Sequence, residues 1–187
     1  RHNDGTLEVI LKGQLASGAK KETRYVRTYD PTRFAAGVLI QTLRAAGIKV
    51  PDKYRRAKSP SGLTTYYKHL SEPLQILIRK TNQHSLNFWA ENITRALGAH
   101  RHGAPGTTTK GLREINNLLI RSGVRRNWFN LSNGSGLYGR SKISSKHLVQ
   151  FMERLYTIPW LHKIMFKSLA RPGQSGTLYK WFRGHNG

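Results

Sequence analysis

Cysteine is absent from this 187-residue chain, and acidic residues are scarce: 9 Asp and Glu stand against 32 Lys and Arg. The first absence excludes disulfides and thiolate metal sites and leaves the redox compartment open. The second gives a formal net charge of +23 and a pI near 11.0. A field that large points to polyanionic partners or surroundings: nucleic acid, an anionic membrane surface or an anionic envelope polymer. Long apolar runs are also missing, so no transmembrane segment is expected. Arg1-His2-Asn3-Asp4 is polar and leads straight into a strand-like run, unlike a signal peptide. The first residue is not Met, and the chain is expected to begin inside a longer one. The 8 histidines are scattered, and only His100 and His102 lie close in sequence. No His-x-x-x-His or carboxylate cluster has zinc-ligand spacing, so neither metal nor cofactor is expected.

The length suffices for one domain with a sizeable core. Thr6 to Lys12 and Glu22 to Tyr29 alternate like strands. Asp30 is placed to cap a helix that has Pro31 at its first position, an apolar stripe of Phe34, Val38, Leu39 and Leu43, and Gly47 as its stop. Residues 51–62 read as a loop, and Leu63 to Leu70 as a short strand. Ser71-Glu72-Pro73 opens a helix with Leu74, Leu77 and Ile78 on one face. A second stripe, Phe88, Trp89, Ile93 and Leu97, follows, with Gly98 as the expected stop and His100 to Gly106 as a loop. Thr107 or Thr108 caps the next helix (Leu112, Ile115, Leu118, Leu119), and Gly123 ends it. Arg125 to Gly139 reads as a loop pinned by Trp128, Phe129 and Leu131. Ser144 caps a helix carrying Leu148, Phe151, Met152 and Leu155. Pro159 breaks that helix, and a short terminal one follows over Trp160 to Leu169.

Between the two central helices lies Ser85-Leu86-Asn87. Serine and asparagine side chains compete for backbone partners and weaken a helix unless they are used. Placed at a helix entrance, they offer one hydroxyl and one carboxamide to a cleft. The plain reading is that Ser85 caps the helix, with Asn87 and Glu91 in its first turn, and both roles can hold at once; Glu91 and Asn92 are read as structural.

The context of this tripeptide is more specific than the tripeptide itself. Asn-Phe-Trp-Ala-Glu-Asn follows Ser85 and Leu86. Pro105-Gly106-Thr107-Thr108-Thr109-Lys110-Gly111-Leu112, Asn133-Gly134-Ser135-Gly136-Leu137 and Gly176-Thr177-Leu178 then come in order. Together these blocks resemble the class C low-molecular-mass penicillin-binding proteins, the serine D-Ala-D-Ala carboxypeptidase/endopeptidases of peptidoglycan. The resemblance runs from about Tyr25 to the end of the chain. It implies an α+β fold, a partial penicillin-binding-protein/β-lactamase-like transpeptidase domain with a helical cluster against an incomplete antiparallel sheet. Residues 1–29 would lead in from an upstream or inserted region, and residues 30–187 would form the partial domain.

The family works by acyl transfer through a serine ester, using Ser-x-x-Lys, Ser-x-Asn and Lys-Thr/Ser-Gly motifs. The resemblance implies that Ser85 and Asn87 are the second motif. Ser85 would help pass a proton to the leaving amine, and Asn87 would hydrogen-bond the substrate peptide. Asn133-Gly134-Ser135-Gly136-Leu137 resembles the family's Asp-Gly-Ser-Gly-Leu, with Asn133 in place of Asp, and implies a tight loop near the cleft with Ser135 and Gly136 at the substrate. Ser135 is not read as a nucleophile, since Asn133 occupies the first glycine position of a Gly-x-Ser-x-Gly elbow.

The other two motifs are missing. The one Ser-x-x-Lys, Ser17-Gly18-Ala19-Lys20, sits in a glycine-containing loop, whereas the pair must share a helix face. Gln174-Ser175-Gly176-Thr177-Leu178 lacks the cation of Lys-Thr-Gly. The implied function is therefore a segment of a peptidoglycan carboxypeptidase/endopeptidase of the periplasm or cell envelope, inactive alone. Its partner would be the peptidoglycan stem peptide, and β-lactams only if the missing motifs are supplied. A non-catalytic peptidoglycan-binding remnant is the alternative. Nucleic-acid binding ranks below both. Tyr66, Tyr67, Trp128, Phe129, Trp181 and Phe182 near basic residues favour it, but most aromatics fall on expected core stripes.

Overall fold

Helix caps position the elements that matter. Asp30 Oδ1 accepts the Arg33 N–H at 3.0 Å ahead of Pro31, Thr107 accepts from Lys110, and Ser144 accepts from His147. Each satisfies an N–H that the first helical turn leaves open. In the computed structural model, which describes residues 9–181 other than 22, 24, 25 and 27, six α-helices follow in order. They are α1 Pro31–Ala45, α2 Leu74–His84, α3 Asn87–His102, α4 Thr108–Arg121, α5 Ser145–Tyr156 and α6 Pro159–Ser168. Two strands, β1 Phe129–Asn130 and β2 Lys142–Ile143, pair antiparallel with Phe129 opposite Ile143. Short 3-10 turns cover Arg126–Trp128 and Gly176–Leu178. The chain divides into two compact units, Arg1–Tyr66 and Tyr67–Gly187.

In the first unit α1 stops as expected. Gly47 adopts φ +81° and the Ile48 N–H reaches back to Leu43 O at 3.0 Å. An Arg56–Asp30 bridge at 2.6 Å ties the following segment to the helix start. The expected early strands fall partly on Thr6, Leu7, Glu8, Glu22, Arg24, Tyr25 and Arg27, which lie outside the described residues, as does Phe182. Their described parts, Val9 to Lys12 and Thr23, Val26, Thr28 and Tyr29, are irregular and exposed. The strand expected over Leu63 to Leu70 is also irregular, with Tyr66 96% exposed. Alternation permits a strand, but only a ladder of backbone hydrogen bonds to a neighbouring strand makes one, and among the described residues the one such ladder joins β1 to β2.

The second unit holds the core. Leu119, Val124 and Phe129 are buried, and Ile115, Leu131, Ile143 and Phe151 pack around them. Helices α3 and α4 touch backbone to backbone. A Cβ on Gly111 would lie 2.0 Å from Thr94 O, and one on Gly98 would lie 2.7 Å from the Gly111 N. This contact explains why α3 does not stop at Gly98. The glycine lets α4 approach, and the helix runs one turn further to His102, with Gly103 after it at φ +75°. His100 to His102 are therefore helical, and Glu114 of α4 binds His102 at 3.0 Å and Arg101 at 3.3 Å. Helices α2 and α6 are joined through a fully buried Ser168. Its hydroxyl accepts from Asn82 Nδ2 at 2.8 Å and donates to Met165 O.

Candidate active site

The Ser85-Leu86-Asn87 connection is held from both sides. Ser85 does not open α3. It closes α2 in the left-handed conformation (φ 54°, ψ 50°), its N–H donating to Thr81 O, and Leu86 occupies the N-cap of α3. Among the described residues Ser85 is the one non-glycine with positive φ. A Cβ in that region costs about 1–2 kcal/mol, and such residues gather where function constrains the backbone. The Gly176–Leu178 turn braces the strained end. Gly176, at φ +63°, lies so close to α2 that a Cβ there would be 2.4 Å from Gln83 O.

The side chains of the connection are left over by the fold. Leu86 makes no side-chain cap, and neither the Ser85 hydroxyl nor the Asn87 carboxamide bonds to any described residue. Ser85 is exposed and Asn87 half-buried, in the first turn of α3. The plain capping role open to Ser85 is thus absent, and both polar groups are available to a ligand.

One turn beyond Asn87, Glu91 lies on the same helix face. Its Oε1 accepts the Ser135 N–H at 2.9 Å and the Ser135 hydroxyl at 2.8 Å, across 44 residues of sequence. Asn133 Oδ1 accepts the Gly136 N–H at 2.7 Å and the Leu137 N–H reaches Ser135 Oγ at 3.3 Å, closing the loop on itself. Gly134 lies flat on α3, where a Cβ would be 2.1 Å from Thr94 Oγ1. Burial pushes the Glu91 pKa up, but the hydrogen bonds from Ser135 and Gly134 and the nearby Arg95 charge outweigh it and hold the carboxyl below its ordinary value. The structure therefore ties Ser135 to α3 through Glu91, one turn beyond Asn87, and the Ser135 hydroxyl is already committed to that carboxylate. Glu91, read from the sequence as structural, has a structural partner in Ser135 that the sequence analysis does not name. The available signal was an acid one turn after Asn87 in a chain with so few acids.

Ser17 and Lys20 are both exposed in a turn where Gly18 has φ +84° and the Ala19 N–H bonds Ala16 O, so they share no helix face. Gln174 to Leu178 is turn and 3-10 rather than strand.

The model of the D-Ala-D-Ala carboxypeptidase 3 (S13) family matches residues 1–187, the whole chain. The chain belongs to the S13 family. Its S13 relatives include D-alanyl-D-alanine carboxypeptidase DacB of Haemophilus influenzae, 27% identical over 143 residues, 76% of this chain and 30% of DacB. Among solved structures, penicillin binding protein 4 (dacB) of H. influenzae bound to a β-lactam superposes with TM-score 0.71 at 25% identity, covering 81% of this chain and 34% of that one. A second structure of that protein gives TM-score 0.68 at 24% identity, covering 82% and 34%. This S13 chain thus spans about a third of the length of those relatives, which run 30% and 34% covered. The neighbours agree with the expected fold: a helical cluster with a small two-stranded antiparallel sheet, part of a penicillin-binding-protein-like domain.

Proposed function

We propose that this chain forms the Ser-x-Asn part of a serine D-Ala-D-Ala carboxypeptidase acting on peptidoglycan stem peptides in the periplasm or cell envelope. The observation that carries the reading is the pair of unused polar groups, the Ser85 hydroxyl and the Asn87 carboxamide, on a braced and strained connection. In acylation a serine outside these 187 residues attacks the D-Ala-D-Ala carbonyl and loses its proton to a lysine. The Ser85 hydroxyl takes a proton from that side and gives its own to the departing D-Ala amine. The Asn87 carboxamide holds the peptide so that the carbonyl meets the nucleophile. The Asn133–Leu137 loop, with Ser135 and Gly136, borders the same site.

Intact-mass measurement with a penicillin tests this. The 187-residue chain is expected to gain no adduct, because it carries neither a helical Ser-x-x-Lys nor a Lys-Thr-Gly. A chimaera in which this chain replaces its aligned stretch of DacB, the rest of DacB supplying those motifs, is expected to gain one penicilloyl group. An adduct on the chain alone would redirect attention to Ser17 or another serine. A folded chimaera that binds sacculi without acylating would instead support a non-catalytic peptidoglycan binder.

The +23 charge supports an anionic polymer as a second partner. Arg79 of α2 faces Lys163 and Lys167 of α6 around a hollow of about 260 Å³ that no described carboxylate lines. Retention on isolated envelope polymer is expected to fall steeply between roughly 50 and 500 mM salt, as screening shortens the reach of those charges. Retention unchanged by salt would contradict an electrostatic partner.

A further inference from the structure

Glu91 is one of 9 acids in a strongly basic chain, and its surroundings differ from those of Glu72, Asp52 and Asp30 among the described residues. Glu72 and Asp52 pair with exposed lysine or arginine, and Asp30 with Arg33 N–H and Arg56. Glu91 instead reaches a loop 44 residues away, through the Ser135 N–H and the Ser135 hydroxyl. Half-buried, it is fixed by α3, whose own position is set by the Thr94–Gly111 contact with α4. It lies one turn after Asn87. A carboxylate so placed converts the register of α3 into the position of the Asn133–Leu137 loop.

We infer that Glu91 is a positioning residue for peptide recognition: it locks the Asn133–Leu137 loop beside Asn87 as one wall of the substrate site. This rests on Ser85 and Asn87 being that site. The lock is two-armed. Ser135 donates through both its N–H and its hydroxyl, so the loop cannot pivot about a single bond, and Asn133 Oδ1 and Ser135 Oγ accept the Gly136 and Leu137 N–H groups from within. Removing the carboxylate frees the loop at its centre while leaving the Gly134–Thr94 contact beneath it. Both arms end on Oε1, so glutamine, which keeps one acceptor oxygen, preserves them and loses only the charge.

The test is a titration of the 187-residue chain with N-acetyl-L-Lys-D-Ala-D-Ala, followed by amide chemical shifts, in wild type, Glu91→Ala and Glu91→Gln. Folding of each variant is checked by circular dichroism. Wild type is expected to shift at residues 85–91 and 133–137. Glu91→Ala should speed hydrogen exchange at the Ser135 amide by about tenfold or more and weaken the peptide roughly tenfold. Glu91→Gln should recover most of that affinity, which a merely structural loss would not predict. Should Glu91→Ala fail to fold, Ser135→Ala, which removes the hydroxyl arm alone, takes its place with an expected loss of a few fold. Wild-type binding that survives Glu91→Ala, or Ser135→Ala in its stead, unchanged would overturn the role of Glu91 and leave the site standing. A wild-type chain showing no shift at Ser85 or Asn87 would overturn both.

Discussion

In the DacB chimaera, Asn87→Ala is expected to slow penicillin acylation by about 10²- to 10³-fold, or about 2.7–4 kcal/mol of transition-state stabilisation. The carboxamide makes no bond to the described protein, so its removal should leave the melting temperature nearly unchanged while the rate collapses. Ser85 separates chemistry from stability more sharply still. Ser85→Gly deletes the hydroxyl and also relieves the left-handed strain at φ 54°. The protein should become slightly more stable, by about 1 kcal/mol, while acylation falls by about 10²-fold or more. Opposite signs in the two measurements identify a residue kept for its hydroxyl at the cost of backbone strain. A parallel fall in stability and rate would mean that Ser85 serves the fold.

The second large effect is on stability. Gly111→Ala drives a methyl group to 2.0 Å from Thr94 O, a backbone atom that cannot turn aside. Helices α3 and α4 must part, which disturbs the surface on which Asn87, Glu91 and the Gly134 contact all stand. Overpacking of this kind costs about 1–3 kcal/mol, and a contact this short belongs at the upper end. The better helix propensity of alanine returns only about 1 kcal/mol. The melting temperature should fall by several degrees, at most by roughly 10 °C. Gly37→Ala is the control, since a Cβ in the middle of α1 meets nothing within 4 Å. It should raise stability by a few tenths to about 1 kcal/mol. Thermal melts of the two variants decide whether the glycines of α3 and α4 are spacers or incidental.

The contrast between those glycines also shows what was legible in the sequence. Caps are local chemistry, and Asp30, Thr107 and Ser144 each sit at the expected helix start with the expected bond. Gly98 obeyed a non-local demand: its partner Gly111 lies on the next helix, and no window around Gly98 contains it. Strands fail for the same reason, since Leu63 to Leu70 has the composition of a strand and lacks a neighbour. At the site, the order of the blocks singles out Ser85 and Asn87 as candidates, whereas the conformation of Ser85 does not follow from its residue type. Serine is common at N-caps and rare in the left-handed region, so an entrance to α3 was the natural expectation and an exit from α2 is what the chain makes. The Glu91–Ser135 clamp spans 44 residues: an acid one turn after Asn87 marks one end of it, and no local pattern supplies the other.

In the proposed function the Ser85 hydroxyl and the Asn87 carboxamide face a D-Ala-D-Ala peptide. Amide and side-chain chemical shifts of the 187-residue chain, recorded as the acetylated tripeptide is added, test it most directly. Saturable shifts centred on Ser85 and the Asn87 carboxamide, abolished in the Ser85→Gly, Asn87→Ala double variant, are predicted. Shifts that are absent there, or that persist in the double variant, would contradict it.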